Sequence, residues 1–331
     1  MKIEDAFFAL TPERVLEAVE TGGGRATGYV QALNSLENRV YEVEMEDGAR
    51  LVAKFYRPAR WSKTAIMAEH NFLRELEEAE LPVVAPRDLG GQTLREMPVE
   101  GGCIYFAVSD KVRGRPPEEL AEEQYEQLGR LVARLHQVGS SRGEPERPRL
   151  DPTTYGTASI ELLSKSDYLP YELRDKYLAC TERIVRVCQP AWSDLEMIRL
   201  HGDCHPGNLL WGSNGPFFLD FDDFLTGPPT QDLWLLSPGR DAEADAARDA
   251  MVRGYQSMRQ FDRKTLRLVE PLRALRIIRY AAWIAHRYAD PAFQRAFPDF
   301  EEHIFWMREI DEMERQRARV EEALGLSGAI N

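Results

Sequence analysis

The sequence predicts an α+β protein of two lobes, a β-rich N-terminal lobe followed by a helical C-terminal lobe. Strand-like runs dominate the first hundred residues, and amphipathic helical patterns dominate the rest. A stretch rich in proline, glycine and arginine, KVRGRPP, separates the two parts. The length of 331 residues also suits about two domains. We expect the N-terminal lobe over 1–108, a hinge or linker over 109–117 and the C-terminal lobe over 118–331.

The N-terminal lobe is predicted to hold a short helix, a sheet and a second helix. Residues 11–20, TPERVLEAVE, have the pattern of a helix with Thr11 as its N-cap. Strand-like segments follow in YVQAL, RVYEVEM and ARLVAKFYRP, and Asp47-Gly48 between the last two is typical of a tight hairpin. These segments predict three antiparallel strands. A helix over 62–79 and a further strand in GGCIYFAVSD complete the lobe.

The C-terminal lobe is predicted to be mainly helical. Its first helix covers about 118–137, where leucine and valine recur at core-facing spacing. The charged stretch EIDEMERQRARVEEAL near the end of the chain predicts a helix with a solvated face. Strand-like runs interrupt the helices within 199–225, and this segment carries most of the polar residues suited to chemistry.

The composition is that of a globular protein with an acidic surface. Against 42 basic residues stand 55 acidic ones, which gives a formal net charge of −13. This acidity disfavours binding to nucleic acids or anionic membranes, because both require basic surface. ATP stays possible, since bound magnesium and a few donors can meet its phosphates. No apolar run approaches the roughly 20 residues of a membrane span. The acidic N-terminus and four scattered cysteines favour a cytoplasmic protein.

The most informative segment is HGDCHPGN, followed by an apolar run, a turn and FLDFDD. Asp203 and Asn208 are five positions apart, and Asp220 lies twelve positions after Asn208. Phosphoryl transfer needs a carboxylate that accepts from or orients the acceptor hydroxyl, and oxygen ligands for the Mg²⁺ that bridges the phosphates. A β-hairpin between Asn208 and Asp220 brings the three side chains together. The spacing therefore predicts Asp203 and Asp220 as catalytic residues, with Asn208 and Asp220 as metal ligands.

The same segment permits two other interpretations. Asp203 and Asn208 can cap turns while the following aspartates form an exposed acidic loop. Alternatively, His201, Cys204 and His205 are all possible zinc ligands. Zinc sites usually draw ligands from two separated clusters, and the sequence has no second cluster of this kind. We therefore expect no zinc.

Lys54 is the candidate contact to the phosphates of ATP. It lies in LVAKFYRP, where alternation places it on the opposite face of the strand from Ala53 and Phe55. A lysine within an apolar strand usually needs a partner or a ligand. Glu69, in the following helix, can provide that partner and hold the ammonium group toward the nucleotide.

The turn Asn34–Asn38 is the predicted cover of the phosphates. The sequence has no GxGxxG loop between the first two strands. Small polar residues in the turn can instead offer backbone N–H groups, and Ser35 adds a hydroxyl. Adenine is expected against the backbone near Ser109–Val112.

These motifs resemble those of a known family. HGDCHPGN, FLDFDD and GPPTQDLW together are similar to the aminoglycoside phosphotransferase and choline kinase superfamily, whose members share the bilobal protein-kinase-like fold. A closer resemblance, to the bacterial stress response kinase A family, extends over nearly the whole chain. It is carried by LNSLENRVYEV, VAKFYRPARW, LHGDCHPGNLLW, GPPTQDLW and EPLRALRIIRYAAW.

The resemblance implies a role for each candidate residue. Asp203 is then the catalytic base, Asn208 and Asp220 bind Mg²⁺, Ser35 lies at the ATP phosphates, and Lys54 pairs with Glu69. It further implies a cytoplasmic, monomeric enzyme that phosphorylates serine or threonine in proteins and protects bacteria under stress.

Two features depart from ordinary protein kinases. Gly202 occupies the position where many kinases carry an arginine that grips a phosphorylated activation loop. Only twelve residues separate Asp220 from Asp232, which leaves no room for a long activation segment. Activation by loop phosphorylation is therefore not expected. The short segment also removes the usual platform for a peptide, and this keeps a small-molecule acceptor open.

The sequence thus predicts an ATP- and Mg²⁺-dependent serine/threonine protein kinase. The alternative enzyme is a small-molecule kinase whose acceptor is a homoserine-, choline- or aminoglycoside-like hydroxyl. The alternative without catalysis is a pseudokinase that works as a binding module. Against this last alternative stands the joint presence of Lys54, Asp203, Asn208 and Asp220.

Overall fold

The computed structural model of the chain describes residues 3–213 and 215–326. Its N-terminal lobe, after a helical turn at Ile3–Ala9, consists of α1 (Pro12–Glu20), β1 (Ala26–Ala32), β2 (Arg39–Met45), β3 (Arg50–Phe55), α2 (Lys63–Glu78), β4 (Arg95–Val99) and β5 (Gly102–Asp110). Among these described residues, five antiparallel strands form one sheet in the order β1-β2-β3-β5-β4. The α+β fold class that the sequence predicts is confirmed.

The first three strands and both helices lie where the sequence predicts them. Thr11 caps α1, since its side chain accepts a hydrogen bond from the Arg14 amide. Along β3, Ala53 and Phe55 are fully buried in the core of the lobe, and Lys54 lies on the other face, along a cleft between the lobes. Alternation along one strand thus positions the candidate lysine.

Strand β4 is missing from the prediction. Charged Arg95 and Glu96 obscure its apolar pattern, and Pro98 disfavours a strand in the middle of a sheet. In the structure β4 pairs with β5 alone, at the edge of the sheet. A proline is tolerated there, because its missing N–H faces away from the ladder.

The segment after β5 leads from the sheet to the floor of the cleft. β5 runs to Asp110, two residues beyond the predicted end of the lobe at 108. Arg115 then pairs with Trp211 in both directions, with N–O distances of 3.1 and 2.8 Å. The predicted division of the chain stays a prediction, and its outermost residues, 1–2 and 327–331, lie outside the described residues.

The C-terminal lobe is helical, as the sequence predicts. Its helices are α3 (Glu122–Gly139), α4 (Ala158–Ser164), α5 (Tyr171–Cys188), α6 (Thr230–Leu236), α7 (Ala242–Gln256), α8 (Val269–Arg287), α9 (Pro291–Ala296) and α10 (His303–Ala323). Two strand pairs lie among them: β6 (Ile198–Leu200) with β9 (Leu225–Gly227), and β7 (Leu209–Gly212) with β8 (Gly215–Phe218). Among the described residues, no helix combines the length and apolar character needed to cross a membrane.

Helices α3 and α7 pack at close range because each has a glycine at the contact. A Cβ atom at Gly129 would lie 2.0 Å from the Met251 carbonyl oxygen, and one at Gly254 would lie 2.0 Å from the Glu126 carbonyl oxygen. The two helices share one apolar core with Phe218 at the end of β8. This core provides a rigid base under the loops that carry the polar residues.

Candidate active site

The structure brings Asp203, Asn208 and Asp220 together through a hairpin. Asp203 lies in the loop after β6, Asn208 in the turn before β7, and Asp220 just after β8. The Leu219 N–H donates to the Asn208 carbonyl over 2.9 Å, which returns Asp220 to the side of Asn208. The Asn208 side-chain nitrogen donates to the Asp203 carbonyl over 2.9 Å. The three residues therefore meet as their spacing in the sequence predicts.

A buried aspartate outside the predicted site fixes the backbone of this loop. Asp232, in the first turn of α6, accepts hydrogen bonds from the His201 and Gly202 amides, both over 2.9 Å. The His136 Nε2 lies 3.0 Å from the same carboxylate, and its Nδ1 lies 3.0 Å from the Tyr255 hydroxyl. A series of hydrogen-bonded, buried polar groups from α3, α6 and α7 thus holds the backbone of the loop in place.

The backbone and packing at position 202 leave no room for a side chain. Gly202 has a φ of +84°, and a Cβ atom there would lie 2.6 Å from the Asp223 carbonyl oxygen. An arginine at this position would need both a left-handed backbone and space that the chain already fills. The departure from ordinary kinases is therefore built into the packing of this loop.

Lys54 lies at the centre of a buried charge network. Its Nζ is 3.0 Å from Glu69 Oε1, 3.2 Å from Asp222 Oδ1 and 3.5 Å from Asp220 Oδ1. The structure contains the Lys54–Glu69 ion pair that the sequence predicts. Burial favours the neutral amine, but the carboxylates of Asp222 and Glu69 outweigh it and raise the pKa of Lys54 well above its usual value. Lys54 is therefore a permanent cation at the cleft.

Asp222 is a part of the network that the sequence does not reveal. Its side chain is 2% exposed and contacts Lys54, Arg60 and the Asn38 amide. Burial raises the pKa of Asp222, but the charges of Arg60 and Lys54 hold it well below the usual range. Arg60 also pairs with Asp223 over 2.5 Å. An acidic run in the sequence gives no sign of such partners, because they lie in the other lobe.

Asp220 is presented to the cleft by an unusual backbone. Its φ of +57° lies in the left-handed region, which is uncommon for residues other than glycine. Its side chain is 56% exposed, whereas that of Asp222 is 2% exposed. Such conformations cost energy and concentrate at functional sites. In FLDFDD, the geometry thus leaves Asp220 exposed to the cleft, buries Asp222 in the charge network and pairs Asp223 with Arg60.

Asp203 lies at the edge of the cleft rather than in its lining. Arg276 of α8 contacts its Oδ1 over 2.7 Å, and the His205 Nε2 lies 3.5 Å from its Oδ2. Burial raises the pKa of Asp203, but the hydrogen bond from His205 and the charge of Arg276 outweigh this effect and hold the pKa well below its usual range. Asp203 is therefore ionised at neutral pH. Arg276 is absent from the predicted site, since nothing in the sequence links it to a loop 73 positions earlier.

The β1–β2 loop (residues 33–38) covers the cleft from the N-terminal lobe. Ser35 lines the cleft, and its hydroxyl donates to the Asn38 carbonyl over 3.2 Å. The cleft has a volume of about 560 Å³ and is bounded by the loop, Lys54, Ser109–Val112 and the hairpin that ends at Asp220. All predicted nucleotide and metal contacts therefore line one cavity.

Glu37 ties this loop to the C-terminal lobe. Its Oε2 accepts a hydrogen bond from the Trp283 indole over 2.6 Å, and its Oε1 pairs with Arg287 over 2.9 Å and Arg57 over 3.0 Å. Arg57 in turn pairs with Asp290 over 2.8 Å. The loop is thus held in place by side chains of both lobes.

The residues of the alternative zinc interpretation make other contacts. The His201 Nε2 lies 2.8 Å from the Leu219 carbonyl oxygen, and the His205 Nδ1 accepts a hydrogen bond from the Gly207 amide over 3.0 Å. Cys204 is fully buried in the apolar core. The expectation that the chain binds no zinc stays a prediction.

The chain matches known phosphotransferases over most of its length. Residues 30–269 match the family described as phosphotransferase enzyme family. Stress response kinase A of Escherichia coli (strain K12) is 38% identical over 304 residues, which cover 92% of this chain and 91% of that protein. A protein named serine/threonine protein kinase RdoA, from Salmonella typhimurium, is 38% identical over the same shares of both chains.

Two solved structures with the same fold are named as kinases of small molecules. Amicoumacin kinase hAmiN, in complex with AMP-PNP, Ca²⁺ and Ami, has a TM-score of 0.73 at 19% identity and covers 94% of this chain and 96% of its own. A microcompartment-associated aminopropanol kinase has a TM-score of 0.68 at 17% identity, with 95% and 98% covered. These likenesses confirm the bilobal kinase-like fold. Since the family match and the 38% identity both extend over most of the sequence, the chain belongs to the phosphotransferase enzyme family and, within it, to the stress response kinase A group.

Proposed function

We propose that this chain is an ATP- and Mg²⁺-dependent kinase that phosphorylates serine or threonine in a protein. The observation that carries the proposal is the convergence of Lys54, Asn208 and Asp220 on one cleft, with Asp203 joined to its edge through Asn208. A cation for phosphates, oxygen ligands for a metal and a carboxylate for the acceptor are the groups that phosphoryl transfer requires. The cleft volume of about 560 Å³ is in the range of ligand pockets.

The cleft suits a nucleotide along its whole length. Adenine would lie against the backbone of Ser109–Val112, where the chain leaves the sheet. Lys54, fixed by Glu69, would contact the phosphates, and the β1–β2 loop with Ser35 would cover them. The structurally similar amicoumacin kinase, which was solved with AMP-PNP, supports ATP as the donor.

Asn208 and Asp220 fit a hard divalent cation. The nitrogen of the Asn208 amide is engaged by the Asp203 carbonyl, which leaves Oδ1 as an oxygen ligand. Asp220 adds an exposed carboxylate on the same side of the hairpin. One amide and one carboxylate are few ligands for a metal held by protein alone, but Mg²⁺ in kinases takes the rest from phosphates and water. The bound cation would neutralise charge on the phosphates.

Asp203 would hold the acceptor hydroxyl in line with the γ-phosphorus. In the transfer, the acceptor oxygen bonds to the γ-phosphorus, the bond from that phosphorus to the β–γ bridging oxygen breaks, and ADP leaves. The hydroxyl proton passes to Asp203. Because its pKa is low, Asp203 is a weak base, so its main contribution is to orient the hydroxyl and take the proton late.

A protein acceptor is favoured by the relatives. One protein that is 38% identical to this chain over 92% of its length is named a serine/threonine protein kinase. A small-molecule acceptor remains the second candidate, supported by the short segment from Asp220 to Asp232 and by the structural similarity to amicoumacin and aminopropanol kinases. We further propose a monomeric, cytoplasmic enzyme, in keeping with free cysteines at all four positions.

The test is transfer from radiolabelled ATP in the presence of Mg²⁺. The purified chain is incubated with heat-treated bacterial lysate, once dialysed to remove small molecules and once complete. Label in the dialysed protein fraction supports the proposal, and label confined to small molecules supports the second candidate. Asp203→Ala should lower the transfer rate by about 10²–10⁴. Asp311→Ala, an exposed position of α10, is the control. No ATP turnover by the parent chain would identify a pseudokinase.

A further inference from the structure

We propose that Arg276 and Arg279 of α8 form an anion-binding subsite for the acceptor, so that the preferred hydroxyl lies beside carboxylate groups. The inference rests on the proposed function, in which Asp203 orients that hydroxyl. It names the chemistry of the acceptor, which the cleft for the nucleotide leaves open. The shared feature of such acceptors is a hydroxyl with a nearby carboxylate, as in a serine flanked by acidic residues or in a small hydroxy acid.

Arg276 contacts the proposed base, and Arg279 follows it on α8. Arg276 contacts Asp203 Oδ1 over 2.7 Å and is 37% exposed. Arg279 follows three residues later on the same face of α8, about 4.5 Å along the helix axis. Its guanidinium lies over the Tyr155 ring at 5.5 Å from the centroid. Burial raises the pKa of Tyr155, the charges of Asp223 and Asp203 raise it further, and those of Arg279 and Arg276 lower it, so all four charged groups act on this one hydroxyl.

Arg279 has no ion-pair partner among the side chains that the structure describes. No carboxylate of these side chains lies within 4 Å of its guanidinium, and Arg279 is exposed. By contrast, the nearby carboxylates are already paired: Asp203 with Arg276, and Asp223 with Arg60. An unpaired cation three residues along α8 from the arginine that contacts the proposed base is notable in a chain with a net charge of −13. It provides attraction for a negative group and repulsion for a positive one.

An unpaired arginine among paired carboxylates disfavours acceptors that carry an amine. An amino-alcohol or aminoglycoside needs free carboxylates around its hydroxyl, because an ammonium group loses its hydration on binding. To bind the ammonium group, Asp203 would have to release Arg276, and Asp223 would have to release Arg60. An acidic acceptor needs no such exchange, since Arg279 is already available. Its approach can also compete with Asp203 for Arg276 and release the proposed base toward the hydroxyl.

The experiment compares matched acceptors of opposite charge. One pair is a serine peptide flanked by aspartates and the same peptide flanked by lysines. The other pair is glycerate, a hydroxy acid, and ethanolamine, an amino-alcohol. The value of kcat/KM for each is measured with saturating ATP and Mg²⁺ for the parent chain, Arg279→Gln and Arg279→Glu. The control is Arg308→Glu, which reverses an exposed charge on α10.

We expect the parent chain to prefer the acidic member of at least one pair. Arg279→Gln should reduce that preference, and Arg279→Glu should reduce it by about five- to tenfold or reverse it, as charge reversal at an exposed contact does. The KM for ATP should not change, and Arg308→Glu should behave as the parent chain. The active pair shows whether the acidic acceptor is a peptide or a small molecule.

Three results would overturn the inference and leave intact the ATP- and Mg²⁺-dependent kinase activity on which it rests. They are a preference of the parent chain for lysine-flanked serine or ethanolamine, an acidic preference that survives Arg279→Glu, and ATP turnover without transfer to any of the four probes. Absence of Mg²⁺-dependent ATP turnover is distinct from these, because it would overturn the proposed function and the inference together.

Discussion

Asn38 and Asp222 join the two lobes across the cleft, although 184 positions separate them: the Asn38 side-chain nitrogen donates to Asp222 Oδ2 over 3.2 Å. Both side chains are almost fully buried, with exposed fractions of 3% and 2%. Asn38 Oδ1 accepts a hydrogen bond from the Arg57 amide over 3.1 Å. One amide thus links the end of the β1–β2 loop to the sheet and to the carboxylate that pairs with Lys54.

Asn38→Ala should therefore impair both stability and nucleotide binding. The change leaves the buried Arg57 amide without an acceptor, at a cost of about 1–3 kcal/mol in the free energy of unfolding. The loss of the link to Asp222 should raise the KM for ATP more than it lowers kcat. Urea unfolding and steady-state kinetics measure the two effects. Asn71→Ala, on α2, serves as the control, and equal behaviour of both variants would contradict the prediction.

Asn208→Ala and Asp220→Ala should weaken the binding of ATP with Mg²⁺ and leave the fold intact. Both side chains lie on the cleft surface, and neither supports the apolar core. We expect a loss of at least about tenfold in affinity, because even residues that only support metal ligands cost about 10- to 100-fold. Calorimetric titrations with and without Mg²⁺ separate metal binding from nucleotide binding. If Mg²⁺ increases ATP affinity equally in the variants and the parent chain, the two residues are not ligands.

His70 should make stability depend on pH. Burial, with a contribution from the charge of Lys54, lowers the pKa of His70 to about 3. In the unfolded chain its pKa is about 6.5, so between these values the unfolded state binds more protons. The contribution of His70 to the free energy of unfolding is complete above pH 6.5 and falls as the pH drops. From pH 7 to pH 5 the loss is about 2 kcal/mol.

The comparison with His70→Gln isolates this contribution. In the parent chain, His70 lies 2.9 Å from the Tyr56 hydroxyl and 2.8 Å from the Thr93 hydroxyl, and glutamine preserves hydrogen-bonding capacity without titrating. Urea unfolding at pH 5 and pH 7 should therefore show a smaller difference in the variant, by about 2 kcal/mol. His303→Gln, at an exposed position, is the control. An unchanged difference in His70→Gln would show that other groups dominate.

The enzyme should need no activating phosphorylation. From Asp220 to Asp232 the chain passes through one turn and the short β9 strand to α6. A phosphate in this span would lie near Asp222 and Asp223, whose cation Arg60 is already engaged. Phosphate-free protein, verified by mass, should show linear initial rates. A lag that disappears on pre-incubation with ATP, together with a phosphosite between 220 and 232, would demonstrate a switch.

The sequence predicts the site wherever the geometry is local. Asn208 and Asp220 flank one hairpin and Asp203 lies in the loop that leads into it, so their spacing alone places them together. Lys54 and Glu69 lie on a strand and the next helix, whose periodicities are both visible in the sequence. Strand β4 is missed for the opposite reason, since its edge position permits charges and a proline that hide the pattern.

Contacts between distant segments remain hidden in the sequence. Asp232 of α6 accepts a hydrogen bond from the His201 amide, Arg276 of α8 contacts Asp203, and Arg60 of the other lobe pairs with Asp222. None of these pairings leaves a periodic or compositional sign, because each depends on how helices and lobes pack. The residues that can do chemistry are therefore predictable, while those that position and neutralise them require the fold.

The hydrogen bond from Trp283 to Glu37 makes the intrinsic fluorescence of the chain sensitive to the position of the β1–β2 loop. Indole emission depends on the polarity and hydrogen bonding around the ring, and Trp283 donates its N–H to the loop that covers the cleft. Its ring also stacks on Tyr280, with the centroids 5.4 Å apart. A ligand that lifts or tightens the loop must alter this environment, and Trp283→Phe removes that part of the signal. Opening and closing of the cleft can thus be followed by intrinsic fluorescence, without a label.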